Sequence, residues 1–204
     1  MNVPGRESAV KNRMALNPEQ FLYMIEKVYI GTGSEKQVFN IFIPDRHANN
    51  ILEITPEELE KENVKGIITD LDNTLVAWDE PDAPEEIIEW FKRMGDAGIE
   101  IVITSNNNEN RVKLFSEPLD KSFIHSARKP LARAFQKARK DMGLKKEEII
   151  VVGDQLLTDV LGGNLAGYYT VLVTPIVDSD GFWTKINRRI EKVIMKNLKH
   201  KGKI

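Results

Sequence analysis

From Gly66 to Val173 short apolar runs alternate with stretches of helical periodicity, and few folds accommodate that alternation. Strands that follow one another through crossover helices pair in parallel, and the helices lie on the sheet faces. The runs cover 67–69, leading into Asp70, then 99–104, 123–126, 149–152 and 169–173. Helices are predicted over 84–97, 109–115, 131–142 and 158–166. Ile87, Ile88, Phe91 and Met94 form the expected buried stripe of the first of these. Gly98, Gly143 and Gly167 stand where helices end. Gly162 and Gly163 suit a close helix-to-sheet approach. The predicted fold class is α/β, a Rossmann-like three-layer sandwich with a mostly parallel sheet.

Upstream the pattern is less regular. Asn17-Pro18-Glu19-Gln20 is a helix start, with Phe21, Leu22, Ile25 and Val28 at helical spacing behind it. Gly31-Thr32-Gly33-Ser34 is a break, not a nucleotide loop, because the flanking strand and further glycines are missing. The expectation is an N-terminal extension over 1–38, weakly packed or helical, and a main domain over 39–204. Within the latter, 39–44 reads as an extended piece, 45–54 as a connector, and Thr55-Pro56-Glu57-Glu58 as a capped helix start.

Composition narrows the chemistry. The chain has 204 residues, a net charge of −2 and no cysteine, which excludes disulfides, thiolate catalysis and Cys-ligated zinc. No run approaches the eighteen or so apolar residues of a membrane span. Residues 1–16 are polar and lack the apolar core of a signal peptide, so a cytoplasmic protein is expected. The tail carries Lys185, Arg188, Arg189, Lys192, Lys196, Lys199, Lys201 and Lys203 against Glu191. A helix predicted over 182–198 has the apolar stripe Phe182, Trp183, Ile186, Ile190, Val193, Ile194 and Leu198. That stripe either docks on the sheet or lies on anionic lipid at the inner face of a membrane. Partial docking, with a basic end free from Lys196 onward, combines the two.

The unusual polar residues fall at strand ends. Asp70 and Asp72 close one strand, Ser105 and Asn106 another, Lys129 follows a third, and Asp154 with Asp159 follow a fourth. In a right-handed parallel sheet these ends open on one edge, where open α/β sheets bind ligands. Residues two apart on a strand share a side, so Asp70 and Asp72 would face one site. Carboxylates gathered among Ile, Leu and Val destabilise the chain unless a cation or polar network compensates. Hard oxygen ligands of this kind imply Mg²⁺ bridging to a phosphate. One carboxylate can act as a nucleophile, and a second at a different pKa as general acid and base.

Asp70-Leu71-Asp72-Asn73-Thr74-Leu75, Thr104-Ser105-Asn106, Lys129-Pro130 and Gly153-Asp154-Gln155-Leu156-Leu157-Thr158-Asp159 resemble the four motifs of the haloacid dehalogenase (HAD) superfamily. The wording Ser-Asn-Asn and Gly-Asp-Gln-x-x-Thr-Asp resembles subclass IIIA and its YqeG-type phosphatases, relatives of the phosphatidylglycerophosphate phosphatases. The resemblance implies an enzyme, a Mg²⁺-dependent phosphoric monoester hydrolase with an aspartyl-phosphate intermediate. Asp70 would be nucleophile and metal ligand. Asp72 would be the acid and base, its backbone carbonyl also on the metal. Ser105 and Asn106 would hold phosphate oxygens, and Lys129 would offset negative charge. Asp154 would complete the metal site, and Asp159 would support Lys129 or a metal-bound water.

Spacing adds a point about substrate. About thirty residues separate Asp72 from Ser105 and about two dozen separate Ser105 from Lys129, too few for a cap domain of about fifty or more. Capless members of the superfamily tend to act on large or surface-bound substrates. Residues 76–83, with Trp78, suggest a small flap. Arg111 reads either as a solvated helix residue or as a reach toward a phosphate, and His125 as structural. Within Asn106-Asn107-Asn108, turn chemistry accounts for all but Asn106. Phosphatidylglycerophosphate, giving phosphatidylglycerol, is the best single substrate. A soluble phosphate ester, a nucleic-acid end, a phosphoprotein or a non-catalytic regulatory role are the alternatives. Nucleic acid is not expected as a partner.

Overall fold

A computed structural model describes residues 41–177. The expectations for the N-terminal helix and its glycine break, and for the basic C-terminal helix, lie outside the described residues.

Six parallel strands form one sheet: β1 (Arg46–Ala48), β2 (Gly66–Thr69), β3 (Glu100–Thr104), β4 (Ser122–Ile124), β5 (Ile149–Gly153) and β6 (Tyr169–Val173). Their order is β1-β6-β5-β2-β3-β4. Between them come α1 (Pro56–Lys61), α2 (Glu85–Asp96), α3 (Glu109–Ser116), α4 (Arg133–Met142) and α5 (Leu161–Ala166). The chain runs from β2 outward through β3 to β4, then returns to β5 on the other side of β2 and continues to β6. The connections therefore diverge between β2 and β5, which opens a crevice at their carboxyl ends.

Period-two alternation within each strand splits the core into two layers. Ile67, Ile101, Ile103, Ile150 and Val152 share one cluster with Ile87, Trp90, Phe91 and Met94 of α2. Ile68, Val102, Ile149 and Val151 share the other with Phe135 and Ala138 of α4. Both faces are covered, which is why the strands read as unbroken apolar runs. On the second face Gly163 lets α5 lie close to the sheet, since a Cβ there would fall 2.5 Å from Thr170 Cγ2.

Three expectations change. In α2 the fourth core position is Trp90, fully buried, whereas Ile88 is 46% exposed. The Trp90 indole N–H donates to the Ile54 carbonyl at 2.9 Å, which turns this face inward. The expected connector over 45–54 contains edge strand β1, paired with β6 and anchored where Asp45 N–H donates to the Thr170 carbonyl at 3.0 Å. The helix expected over 158–166 begins with a π-helical turn, Leu156–Val160, and becomes α-helical only at Leu161.

The interval from β2 to β3 holds the flap and α2, and that from β3 to β4 holds α3, with no inserted domain in either. No helix among the described residues is long and apolar enough to cross a membrane.

Candidate active site

The site is built around the end of β2. Asp70 extends the ladder by one residue, its N–H donating to the Val152 carbonyl of β5 at 2.9 Å. The chain then turns. Asn73 adopts φ +65°, and its N–H donates to the Val76 carbonyl at 2.7 Å. Asp72 consequently lies on a tight loop and not on the strand, which corrects the shared-strand-face argument. Asp70 and Asp72 come to one crevice because the loop folds back.

Lys129 reaches Asp70 from the loop after β4. Its ammonium lies 2.8 Å from Asp70 Oδ1 and 2.6 Å from Asp159 Oδ1, with all three side chains buried. Burial opposes the charge on Lys129, but the carboxylates of Asp159 and Asp70 together outweigh it and hold the lysine above its ordinary range. Burial pushes Asp159 up to about 6, with Asp70 adding to the shift and Lys129 opposing it.

The loop carrying Lys129 is held tightly. Asn106 Oδ1 accepts from the Lys129 N–H at 2.7 Å, and Asn106 Nδ2 donates to the Lys129 carbonyl at 3.2 Å. Ala127 N–H donates to the Ser105 carbonyl at 2.9 Å, and Ser126 N–H to that of Asn107 at 2.8 Å. Ser126 and Arg128 adopt φ +46° and +56°, left-handed conformations that cost each non-glycine residue about 1–2 kcal/mol. Such strain concentrates at functional loops.

Asp70, Asp154 and Asp159 form a buried cluster in which one carboxylate oxygen from each lies within 4.8 Å of the others. Three carboxylates against one ammonium leave two formal negative charges in the pit, and a divalent cation suits that donor set. Asp159 is otherwise committed: Oδ1 binds Lys129, and Oδ2 accepts from Gln155 N–H and Thr158 Oγ1, each at 3.2 Å. Asp154 Oδ1 accepts from Thr74 Oγ1 at 3.3 Å. The Asp72 side chain lies outside this cluster. A Cβ on Gly153 would fall 2.3 Å from the Asp159 carboxyl carbon, so any larger residue there must displace that carboxylate.

Ser105 closes β3, its N–H donating to the Ile124 carbonyl at 3.0 Å and its Oγ accepting from the Asn107 N–H at 3.0 Å. Asp72 is held from α3. Arg111 Nε donates to Asp72 Oδ1 at 3.0 Å, and Asn107 Nδ2 to Oδ2 at 3.4 Å. Burial raises the Asp72 carboxyl above its usual range and the charge of Asp70 raises it further, against Arg111 and Asn107, which lower it. Sequence reasoning left Arg111 between a solvated helix residue and a reach toward a phosphate, and gave Asn107 to turn chemistry; both instead hold Asp72. The available signal was their position, Asn107 in the loop after β3 and Arg111 in the first turn of α3. His125 faces Glu109, 3.7 Å away, outside the constellation.

A parallel sheet with carboxylates and a lysine gathered at its strand ends is the arrangement that the HAD resemblance implies. The family model described as HAD-hydrolase-like matches residues 126–193. "Probable phosphatase YqeG" of Bacillus subtilis strain 168 is 60% identical over 163 residues, 80% of this chain and 95% of that protein. Phosphatidylglycerophosphate phosphatase 1 of Arabidopsis thaliana is 28% identical over 177 residues, covering 78% of this chain and 49% of that protein. The cobalt-bound deoxy-D-mannose-octulosonate 8-phosphate phosphatase of Haemophilus influenzae matches 66% of this chain and 88% of its own, at 18% identity and a TM-score of 0.47. The chain belongs to the HAD-hydrolase-like family and is an enzyme, a phosphatase.

Proposed function

We propose that this phosphatase is a Mg²⁺-dependent phosphomonoesterase that works through an aspartyl-phosphate on Asp70 and takes phosphatidylglycerophosphate to phosphatidylglycerol. The observation that carries the mechanism is the division of carboxylates: Asp70 fixed at 2.8 Å beside Lys129, and Asp72 held apart by Arg111. Asp70 attacks phosphorus while the bond to the leaving alcohol breaks, and Asp72 gives its proton to the departing oxygen. Asp72 then takes a proton from water, which attacks phosphorus and frees Asp70 together with inorganic phosphate. Ser105 holds a phosphate oxygen through its hydroxyl. Asn106 serves the phosphate subsite chiefly by fixing Lys129, whose charge offsets that of the phosphoryl group. Asp70, Asp154 and the Asp72 backbone carbonyl would hold Mg²⁺, which supplies charge neutralisation at the phosphoryl oxygens.

The lipid substrate is supported by the uncapped crevice, by the similarity to the plant enzyme and by a groove lined in part by Arg128 and Leu131, on either side of Lys129 in sequence. That groove, about 510 Å³, is lined among others by Phe123, Ile124, Arg128, Leu131, Arg133 and Lys137. Apolar side chains, including a 61% exposed Leu131, lie there beside cations, which suits an anionic amphiphile. We place the phosphatase domain at 39–204, after an extension over 1–38, with the basic C-terminal helix as a peripheral contact to anionic membrane on the cytoplasmic side. Removal of 196–204 should weaken binding to anionic vesicles, and unchanged binding would refute that contact.

The deciding experiment is Mg²⁺-dependent phosphate release from phosphatidylglycerophosphate in mixed micelles, beside a panel of soluble phosphate esters, for wild type and Asp70→Asn. Preference for the lipid that depends on Asp70 supports the proposal. Turnover of the soluble panel alone would keep the chemistry and discard the lipid.

A further inference from the structure

We infer that Arg111 is a positioning residue, which sets the orientation of Asp72 and ties it to the flap over 76–83; this rests on the acid and base role proposed for Asp72. The guanidinium addresses three separate acceptors. Nε donates to Asp72 Oδ1 at 3.0 Å, Nη2 to the Ala77 carbonyl at 3.3 Å and Nη1 to the Pro81 carbonyl at 3.4 Å. One planar group therefore joins the loop that carries the acid, both arms of the flap and helix α3. The base of the side chain is fixed as well, because Asn108 caps α3 and its Oδ1 accepts from the Arg111 N–H at 3.1 Å.

The consequence for Asp72 is geometric. A carboxyl on a short side chain rotates among staggered wells unless something holds it. Arg111 anchors Oδ1 at short range, while among the described residues Oδ2 meets only the longer 3.4 Å contact from Asn107. Oδ2 is left as the oxygen presented to a leaving group. A lysine cannot reproduce this, since an ammonium lacks the rigid fork that meets three acceptors in one plane. Side chains of Arg111 and Asp72 are 14% and 19% exposed, so the pair is sheltered without being sealed from substrate.

Leaving-group chemistry separates positioning from mere support. An alkoxide needs a proton as it departs, whereas p-nitrophenolate leaves without one. Full-length wild type, Arg111→Met, Arg111→Lys and Asp72→Asn are assayed with Mg²⁺ on n-hexyl phosphate and p-nitrophenyl phosphate. The expected result for Arg111→Met is a kcat/KM loss of about a hundredfold on the alkyl ester, in the range of a general-acid contribution, with less than about tenfold on the aryl ester. This ratio covers the steps up to departure of the alcohol and leaves out the later attack of water, which both esters share. Arg111→Lys should fall with Arg111→Met, and equal kcat/KM losses on both esters would overturn the inference. Should Arg111→Met not fold, Arg111→Lys, which keeps the stem and the charge, gives the same reading. If Asp72→Asn discriminates between the esters and the Arg111 variants do not, only the positioning role falls. If Asp72→Asn does not discriminate either, the acid and base reading falls with it.

Discussion

Lys129 stands 2.6 Å from Asp159, and both side chains are almost wholly removed from solvent. Asp159 is thereby the residue that delivers the lysine to Asp70. Truncating one partner of a buried pair costs about 3–5 kcal/mol where it strands the other; Lys129 keeps Asp70 at 2.8 Å, so the loss here should fall below that. Asp159→Ala should show that loss in urea unfolding, together with a large fall in kcat; an unchanged unfolding midpoint would count against the pairing.

Asp70→Asn removes the proposed nucleophile with little change in volume. Turnover should fall at least about a thousandfold, in keeping with the loss of other activated nucleophiles. Its circular dichroism spectrum should match wild type. Activity retained within tenfold would rule out the aspartyl-phosphate route.

The pit should make metal-free stability depend on pH in a definite direction. Asp159 titrates near 6 in the fold against an ordinary value of 3.8, chiefly because it is buried. A raised folded pKa contributes stability that is complete below the unfolded value and lost as pH rises through the folded one. Metal-free protein should therefore lose stability between about pH 4 and pH 7, and Asp159→Asn should lose less of it over the same window. Asp72, raised in the same direction, adds to the trend. Adding Mg²⁺ at pH 7.5 should raise the unfolding temperature, as any ligand selective for the folded state does, and should do so less in Asp154→Asn. Thermal melts with and without chelator read both effects.

Gly153 is answered by a single methyl. Gly153→Ala places a Cβ 2.3 Å from the carboxyl carbon of Asp159, on which Lys129 depends. Overpacking of this kind costs about 1–3 kcal/mol, and kcat should fall with it. Wild-type stability and activity in this variant would show that the carboxylate can shift freely.

The two faces of α2 provide a control away from the site. Trp90→Ala should cost about 3–5 kcal/mol, because it empties a fully buried position and removes the donor to Ile54. Ile88→Lys, at an exposed position, should change stability by less than about 0.5 kcal/mol. Equal effects in denaturant titrations would restore Ile88 to the core.

What the sequence alone determined was whatever depends on neighbours along the chain. Unbroken apolar runs separated by helical stretches implied the parallel sheet, and connection handedness then implied that Asp70, Ser105, Lys129 and Asp154 gather at one edge. The glycine after α4 and the Thr55 cap, whose Oγ1 accepts from Glu58 N–H at 3.4 Å, were equally legible. Helical periodicity chose the right side of α2 but not between Ile88 and Trp90, because the deciding bond runs to Ile54, 36 residues away. Strand β1 stayed hidden because three residues, two of them Arg46 and His47, carry no apolar pattern and are strand only by pairing with β6. The tertiary structure also decided the inner arrangement of the site: Asp72 on a loop, Asp159 behind Lys129, Asn106 on the Lys129 backbone and Arg111 on Asp72. These contacts join residues 23 to 39 apart. Local spacing fixes which way a side chain leaves the backbone, but only the packed sheet and its loops bring distant side chains within hydrogen-bond reach.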